Sequence, residues 1–312
     1  MKVGVILNPV AGGGKASKAW PEFETELERQ IGQFELRRTT KPDEAVVMAE
    51  AMARDGYELI VAAGGDGTIS EVADGILRTR EGSTAIAALG ILPCGTGSDL
   101  ARTLKLGGTP EQAVRRLVQG TGRVIDAGRV SFTGIDGRKA QRHFINISSL
   151  GLSGPTAVAV NATRRSHKAS GKLVFFWQTV RELLKYQFQT VRVTVDDATP
   201  IEAKIALVAA ANGRFFGGGM MIAPDADVED GLLDVVIFRG GTKLKLIYDL
   251  RLLYTGSHRN HPLVTILRGR KVLVEPAGDA RFNTALIDVD GESPGQIPAL
   301  FEIVPKAILV MC

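Results

Sequence analysis

The chain of 312 residues is 45% hydrophobic and 23% charged, with a formal net charge of +4. These values are typical of a globular protein long enough for two hydrophobic cores, and no apolar stretch predicts a membrane-spanning helix. The mild positive charge permits contact with anionic surfaces, but the aromatic signatures of nucleic-acid binding are missing, so we expect no nucleic-acid partner. Two cysteines and a first segment that is strand-like rather than a signal peptide predict a cytoplasmic protein without disulfides.

Strands and helices are predicted to alternate over residues 1–125. Apolar runs predict strands over residues 2–8, 34–38, 59–63, 86–92 and 122–127. Helical periodicity predicts helices over residues 20–31, 44–54, 69–77 and 110–117. This alternation favours a parallel, doubly wound α/β domain, whose ligands bind outside the carboxyl ends of the strands.

Glycine-rich loops with polar side chains follow three of these strands. They are residues 8–15, residues 64–68 (Gly-Gly-Asp-Gly-Thr) and residues 95–102, the last beginning with Gly95 and Thr96. The free N–H groups of a helix N-terminus bind anions, and glycines let an anion approach closely. The loops therefore predict phosphate binding by the backbone of residues 64–68 and by the Thr68 and Thr96 hydroxyls, although a plain turn is an alternative for each loop alone.

The pattern changes after residue 125. Short runs predict strands over residues 129–132, 143–147, 190–195, 202–210, 232–238, 263–267, 271–274, 285–289 and 301–304. Turns rather than regular helices join them, with one helical insertion over residues 173–186, and this is typical of an antiparallel sandwich or open barrel. Residues 271–274 are a candidate edge strand that could pair between two subunits of a homodimer.

Several of these segments resemble the catalytic family of diacylglycerol kinases, which includes bacterial soluble lipid kinases. The resemblance rests on residues 64–68 and 95–102, and it continues through Phe144-Ile-Asn146, Ala211-Asn-Gly213 and Asp290-Gly-Glu292. It implies a Rossmann-like or phosphofructokinase-like nucleotide domain over residues 1–125, a β-sandwich domain over residues 126–312, and an active site in the cleft between them. The implied reaction moves the γ-phosphate of ATP to a lipid hydroxyl, most simply that of diacylglycerol, in phospholipid metabolism.

The resemblance also assigns residues to the nucleotide. Asn8 and Thr39 are implied to flank it, with Gly64, Gly65, Gly67, Thr68, Gly95 and Thr96 at its phosphates. Asp66 places a carboxylate beside those phosphates, and Mg²⁺ between the two would remove the repulsion. The alternative for Asp66 is a side chain that caps its own loop.

Three carboxylates alternate at Asp288, Asp290 and Glu292, so all three can point the same way. Crowding of like charges would raise the pKa of at least one of them. The resemblance selects Glu292 as the general base for the acceptor hydroxyl, with Asp290 assisting it or binding metal. An acidic hairpin turn that faces water is the alternative.

A second acidic loop follows residue 224. The resemblance implies a structural Mg²⁺ held there by the Asp230 carboxylate and by the main-chain carbonyls of Asp227 and Leu232. A solvated turn before the next strand is an almost equal alternative.

Residues 161–186 carry several cations and one acid, Glu182, around Phe175, Phe176 and Trp177. Such a basic amphipathic segment suits an anionic membrane surface, so we expect peripheral membrane association with a lipid substrate.

Two other functions stay open. An NAD kinase would explain the Gly-Gly-Asp-Gly-Thr loop, but it leaves residues 95–102 and the Asp-Gly-Glu segment without a role. A nucleotide- and lipid-sensing regulator without turnover is suggested only by Ser98, which stands where relatives usually carry Asn.

Overall fold

The computed structural model describes residues 1–80, 87–94, 99–167, 172–278 and 284–312, with the backbone alone at residues 164–167 and 172. The chain divides into two compact units. The first unit contains residues 1–126 and 306–312, and the second unit contains residues 127–305.

The helices of the described residues are α1 (Ala11–Gln30), α2 (Glu44–Arg54), α3 (Asp66–Arg78), α4 (Asp99–Thr103), α5 (Pro110–Gln119), α6 (Ser153–His167), α7 (Lys172–Lys185) and α8 (Lys243–Asp249). The strands of the first half are β1 (Val3–Leu7), β2 (Glu35–Arg38), β3 (Leu59–Gly64), β4 (Ala88–Pro93), β5 (Gly122–Gly134), β6 (Lys139–Phe144) and β7 (Ile147–Gly151). Those of the second half are β8 (Gln189–Val195), β9 (Ile201–Ala211), β10 (Phe215–Phe216), β11 (Met220–Met221), β12 (Leu233–Arg239), β13 (Val264–Gly269), β14 (Lys271–Pro276), β15 (Ile287–Val289) and β16 (Gly295–Met311).

The first unit contains the predicted parallel sheet, in the strand order β2-β1-β3-β4 with the last residues of β16 beside β4. Its strands β1 and β3 are buried along their whole length, and Trp20, Phe23 and Leu27 of α1 pack on the same core. Because the chain leaves β1 toward β2 and returns past it to β3, the topological switch point lies between β1 and β3. The doubly wound α/β prediction is confirmed.

Glycines shape the start of α1. Gly12, Gly13 and Gly14 have φ values of 64, 73 and 88°, a left-handed conformation that other residues adopt only at a cost. The span of α1 includes Ala11, nine residues before the predicted start, but Gly12, Gly13 and Gly14 are non-helical and form the predicted glycine loop, so the regular helix follows Gly14.

The second unit is antiparallel and rich in strands, as predicted. Its sheet has the order β13-β12-β9-β8-β14-β16, while β7 pairs with both β9 and β15, and β5 pairs with β6. The largest buried side chains of its core are Phe144 on β6 and Phe301 on β16. Residues of most strands contribute to this core, so the unit is held mainly by apolar burial between its β layers.

Several predictions for the second unit were wrong. One helical insertion was predicted, but α6 and α8 are helices as well. Helix α8 buries none of its residues, so its sequence has no strong core-facing pattern. The strand predicted at residues 143–147 is the end of β6 and the start of β7, separated by Ile145 and Asn146. The break predicted at Gly128 is absent, since β5 runs through it.

The predicted edge strand at residues 271–274 is also wrong. These residues belong to β14, which pairs with β8 on one side and with β16 on the other. Their backbone N–H and C=O groups are therefore used within the unit, and they offer no free edge for a second subunit.

Candidate active site

The polar side chains at the start of α3 connect neighbouring segments of the first unit. Asn8 follows β1, and its Nδ2 donates a hydrogen bond of 3.1 Å to the Thr68 Oγ1. The Asn8 N–H donates to the Ala63 carbonyl at 3.0 Å, so the end of β1 is attached to β3 by the main chain and to α3 by the side chain. Because β1 and β3 flank the topological switch point, this pair of residues lies where an open α/β sheet binds its ligand.

Asp66 caps a neighbouring helix. Its Oδ1 accepts hydrogen bonds from the N–H groups of Asp99 at 2.7 Å and Leu100 at 3.3 Å, the first two residues of α4. These N–H groups have no partner inside the helix, and a carboxylate at a helix N-terminus is stabilising. The Asp66 carboxylate therefore positions the segment that follows β4.

Glu71, one turn further along α3, has a matching role. Its Oε2 accepts a hydrogen bond of 3.1 Å from the N–H of Ala45, in the first turn of α2. This role of Glu71 was not predicted from the sequence. The sequence signal for this role was the presence of two acids, Asp66 and Glu71, on successive turns of α3.

Gly65 and Gly67 place no side chain at the N-terminus of α3. A Cβ on Gly64 would lie 2.5 Å from the Thr68 Oγ1, so a side chain there would displace the threonine. Gly65 has an ordinary φ of −101°, and a Cβ on Gly65 or on Gly67 would have no atom of the described residues within 4 Å. Neither backbone strain nor crowding by the described residues requires these two glycines, so the described residues leave room for an anionic group at the N–H groups of α3.

Of the three remaining predicted nucleotide residues, one lies at the same sheet edge and two lie outside the described residues. Thr39 follows β2, is buried, and donates from its N–H to the Leu7 carbonyl at 2.9 Å. Asn8, Thr39 and residues 64–68 are thus brought to one edge of the parallel sheet. Gly95 and Thr96 lie outside the described residues, as does Ser98.

In the second unit, a tight turn carries the three predicted carboxylates. The N–H and C=O groups of Val289 and Glu292 form hydrogen bonds of 2.7 and 3.1 Å, and Asp290 and Gly291 between them have φ values of 47 and 97°. Two positive φ values in a two-residue connection are typical of a type I′ hairpin, in which Asp-Gly is a favoured pair. The turn therefore holds the Glu292 backbone in one position.

The Asp290 carboxylate binds backbone. Its Oδ1 accepts from the N–H of Ile147 at 2.8 Å and its Oδ2 from the N–H of Ile145 at 3.1 Å. Both donors lie at the break between β6 and β7, which explains why the apolar run there is not one strand.

Hydrogen bonds also join the other segments that carried the resemblance. The Asn146 carbonyl accepts from the N–H groups of Asn212 and Gly213, each at 2.9 Å. The Asn212 Nδ2 returns a hydrogen bond of 2.9 Å to the Ile145 carbonyl. Residues 144–146, 211–213 and 290–292 therefore form one hydrogen-bonded cluster.

Asp288, next to this turn, has a strongly raised pKa. It is buried, and its Oδ1 accepts a hydrogen bond of 2.7 Å from the Gly291 N–H. Burial is the main cause that raises the pKa of Asp288 to about 8; the Gly291 N–H opposes this rise, and the nearby charges of Asp290 and Glu292 add to it. At neutral pH the Asp288 carboxyl is therefore largely protonated.

The acidic loop before β12 contains an arginine contact. Asp230 forms an Asx turn, in which its Oδ1 accepts from the Leu232 N–H at 3.0 Å, while its Oδ2 contacts the Nη2 of Arg268. The Arg268 Nε lies 3.5 Å from the Oδ2 of buried Asp234, the residue directly opposite on β12. Asp227 accepts from the Glu229 N–H at 3.1 Å. Arg268 therefore lies beside the carboxylates of both Asp230 and Asp234, and the magnesium at Asp227, Asp230 and Leu232 stays a prediction.

Among the residues that the structure describes, no three His, Cys, Asp or Glu side chains gather into a group that could hold a metal ion. None of the described helices combines the length and hydropathy that a membrane crossing needs.

Comparison with known proteins identifies both halves of the chain. The model of the diacylglycerol kinase catalytic domain matches residues 2–130, and the model described as the YegS C-terminal NAD kinase beta sandwich-like domain matches residues 149–312. A protein from Mycobacterium tuberculosis named diacylglycerol kinase is 28% identical over 99% of this chain and 94% of its own length. One of that name from Staphylococcus epidermidis is 26% identical over 95% and 87%.

Solved structures agree on the fold. A crystal structure of a diacylglycerol kinase from Bacillus anthracis str. Sterne has a TM-score of 0.71 at 20% identity, over 99% of this chain and 96% of that one. With a nucleotide-type α/β unit and a sandwich-like second half, the protein is a kinase of the lipid kinase class. It belongs to the diacylglycerol kinase catalytic-domain family, in its bacterial form with the YegS-type C-terminal domain.

The raised pKa of Asp288 predicts a pH dependence of stability. The unfolded chain ionises this carboxyl near its ordinary pKa of about 4, whereas the folded chain keeps it protonated up to about pH 8. Its contribution to the free energy of unfolding is therefore fully present below about pH 4 and is lost as the pH rises through about 8, with a slope approaching ~1.4 kcal/mol per pH unit.

Urea unfolding of the wild type and of Asp288→Asn over this pH range measures the effect. Asp288→Asn should gain stability relative to the wild type as the pH rises, and the same comparison with exposed Asp197→Asn should be flat. A constant difference between Asp288→Asn and the wild type would contradict a neutral Asp288.

The Arg268 contacts predict a second stability effect. Arg268→Leu leaves Asp230 and buried Asp234 without their cation, and we expect a loss of about 1–2 kcal/mol in the free energy of unfolding, because Arg268 is itself partly exposed. Adding Asp234→Asn should recover part of the loss, and Arg270→Leu should have little effect. If Mg²⁺ instead neutralises this loop, EDTA will destabilise the wild type as much as the Arg268 change does.

Proposed function

We propose that the chain transfers the γ-phosphoryl group of ATP to the hydroxyl of diacylglycerol, giving phosphatidic acid and ADP. Family membership supports the kinase activity, and the names of the relatives support the acceptor. The observation that carries the proposal is the bare N-terminus of α3 at the switch point of the parallel sheet, where Gly65 and Gly67 leave room for phosphates.

The first unit binds the nucleotide in this proposal. The N–H groups of residues 65–68 face the phosphates, and phosphoryl transfer needs such charge neutralisation and positioning more than covalent chemistry. Asn8 and Thr39 adjoin the nucleotide at the same sheet edge, with Gly95 and Thr96 as predicted contacts.

We propose that Asp66 also holds the Mg²⁺ that accompanies ATP, because Mg²⁺ binds one or two carboxylates together with phosphate oxygens. Bound Mg²⁺ would neutralise the charge on the phosphate oxygens. The hydrogen bonds of Asp66 to α4 fix its carboxylate before any ligand binds.

Glu292 is the proposed general base, which takes the proton from the acceptor hydroxyl. Its backbone is fixed by the tight turn, while Asp290 holds that turn through the N–H groups of Ile145 and Ile147 and acts as a positioning residue. A protonated Asp288 adds no second charge beside Glu292, so it does not oppose ionisation of the base at neutral pH.

Peripheral association with a membrane is part of the proposal, since diacylglycerol resides in a bilayer. Of the predicted basic segment, Lys168 lies outside the described residues, as do the side chains of Arg164, Arg165 and Lys172. Arg181, Lys185 and exposed Trp177 of the same segment belong to α7.

Thin-layer separation of lipids labelled from γ-labelled ATP tests the reaction. We expect label in phosphatidic acid when the enzyme acts on a total lipid extract or on diacylglycerol vesicles. Label in another phospholipid would show that the acceptor is not diacylglycerol. Label in NADP would establish an NAD kinase, and ATP binding without transfer to any lipid would establish a regulator.

Conservative substitutions test the two carboxylates. Asp66→Asn keeps an acceptor oxygen for α4 but removes the charge, and Glu292→Gln removes the base, so each should lower kcat at least about 100-fold with normal unfolding curves. Exposed Asp197→Asn and Glu22→Gln are the matched controls. Full activity of Glu292→Gln would exclude Glu292 as the base.

A further inference from the structure

Large apolar side chains are exposed along one face of α7. Leu173, Trp177 and Leu184 lie four and seven residues apart, and their exposed fractions are 76, 66 and 52%. Positions with this spacing share a helix face, and Arg181, which is also exposed, lies on the same face. The opposite face packs on the unit, since Thr179 and Leu183 are buried.

Helix α8 extends this apolar surface. Its Leu244 and Tyr248, one turn apart, are 74 and 60% exposed, and no residue of α8 is buried. The Lys243 Nζ donates a hydrogen bond of 2.6 Å to the Leu184 carbonyl, which joins the start of α8 to the end of α7. We call the exposed residues Leu173, Trp177, Leu184, Leu244 and Tyr248 the α7–α8 surface.

Cations surround the α7–α8 surface. Arg181, Lys185, Lys245 and Arg251 are exposed, and the Arg251 guanidinium lies 3.7 Å from the centre of the Tyr248 ring.

The acids of these helices are turned inward. Glu182 lies 3.5 Å from Lys185 and its side chain is only 19% exposed. Asp249 lies 3.2 Å from the His261 Nε2 and its side chain is 17% exposed. The charge that the α7–α8 surface presents to solvent is therefore positive, on a chain whose formal net charge is only +4.

We propose that the α7–α8 surface lies on anionic lipid bilayers and brings the second unit to its lipid. Contiguous apolar patches of this kind mark interaction sites. A surface with Leu, Trp and Tyr among Lys and Arg matches the bilayer interface, where rings lie at the headgroups and cations contact lipid phosphates. This inference rests on the proposed function, because it assumes a substrate that resides in a bilayer.

Fluorescence of Trp177 tests the contact directly. The chain has two tryptophans, and the other, Trp20, is 4% exposed, so Trp20→Phe leaves Trp177 as the only reporter. Vesicles of phosphatidylcholine with phosphatidylglycerol should shift its emission to the blue, and brominated lipid should quench it. Phosphatidylcholine vesicles alone should have little effect.

Sedimentation with the same anionic vesicles measures the affinity of each variant for the bilayer. Arg181→Gln and Lys245→Gln should each weaken binding about fivefold, and Leu244→Gln should weaken it by a similar factor. The controls lie in the turn between β5 and β6, where Ile135 is 79% exposed and the Arg138 side chain is 88% exposed. Ile135→Gln and Arg138→Gln should bind as the wild type does.

Activity on two forms of substrate separates this inference from the proposed function. The α7–α8 variants should lose activity on diacylglycerol in anionic vesicles but keep it on dioctanoylglycerol dispersed below its aggregation limit. Failure of the wild type to phosphorylate either form would refute the proposed function, while the vesicle-binding results would still decide the docking surface. Wild-type binding by the variants, or burial of Trp177 in a dimer without vesicles, would overturn the proposal.

Discussion

Hydrogen bonds from backbone N–H groups to the Asp66 carboxylate are the interaction on which the candidate site depends. They fix the start of α4, and Thr68 and Glu71 on the same helix fix Asn8 and the start of α2. Each contact satisfies polar groups that would otherwise be costly to bury. Because polar side chains secure the surrounding segments, Gly65 and Gly67 are left bare, and the backbone of α3 itself can face a ligand.

In the second unit, backbone N–H groups likewise donate hydrogen bonds to a carboxylate. Asp290 accepts two backbone N–H groups from the break between β6 and β7, and this anchors the turn that carries Glu292. The three carboxylates, which are alike in sequence, consequently differ in state. The Asp290 carboxylate accepts two amide N–H groups, the Asp288 carboxyl is kept neutral by burial, and Glu292 is the general base of the proposed mechanism.

The features that could be predicted from the sequence are those that a local residue pattern determines. Buried parallel strands such as β3 appear as continuous apolar runs, and the glycines before α3 predicted an anion site at its N-terminus. Partners distant in the chain were not predictable, since Asp66 contacts a segment 33 residues away and Asp230 contacts Arg268 at 38 residues. Helix α8 was not predicted because it buries no residue. Residues 143–147 were predicted as one strand, but the N–H groups of Ile145 and Ile147 donate to Asp290, which lies far along the chain.

In the proposed function, backbone N–H groups at the start of α3 bind the phosphates of ATP. Hydrogen–deuterium exchange of the protein with and without ATP measures this contact. We expect ATP to slow exchange of the N–H groups of residues 65–68. ATP binding that leaves exchange at these residues unchanged and protects another part of the first unit would contradict it.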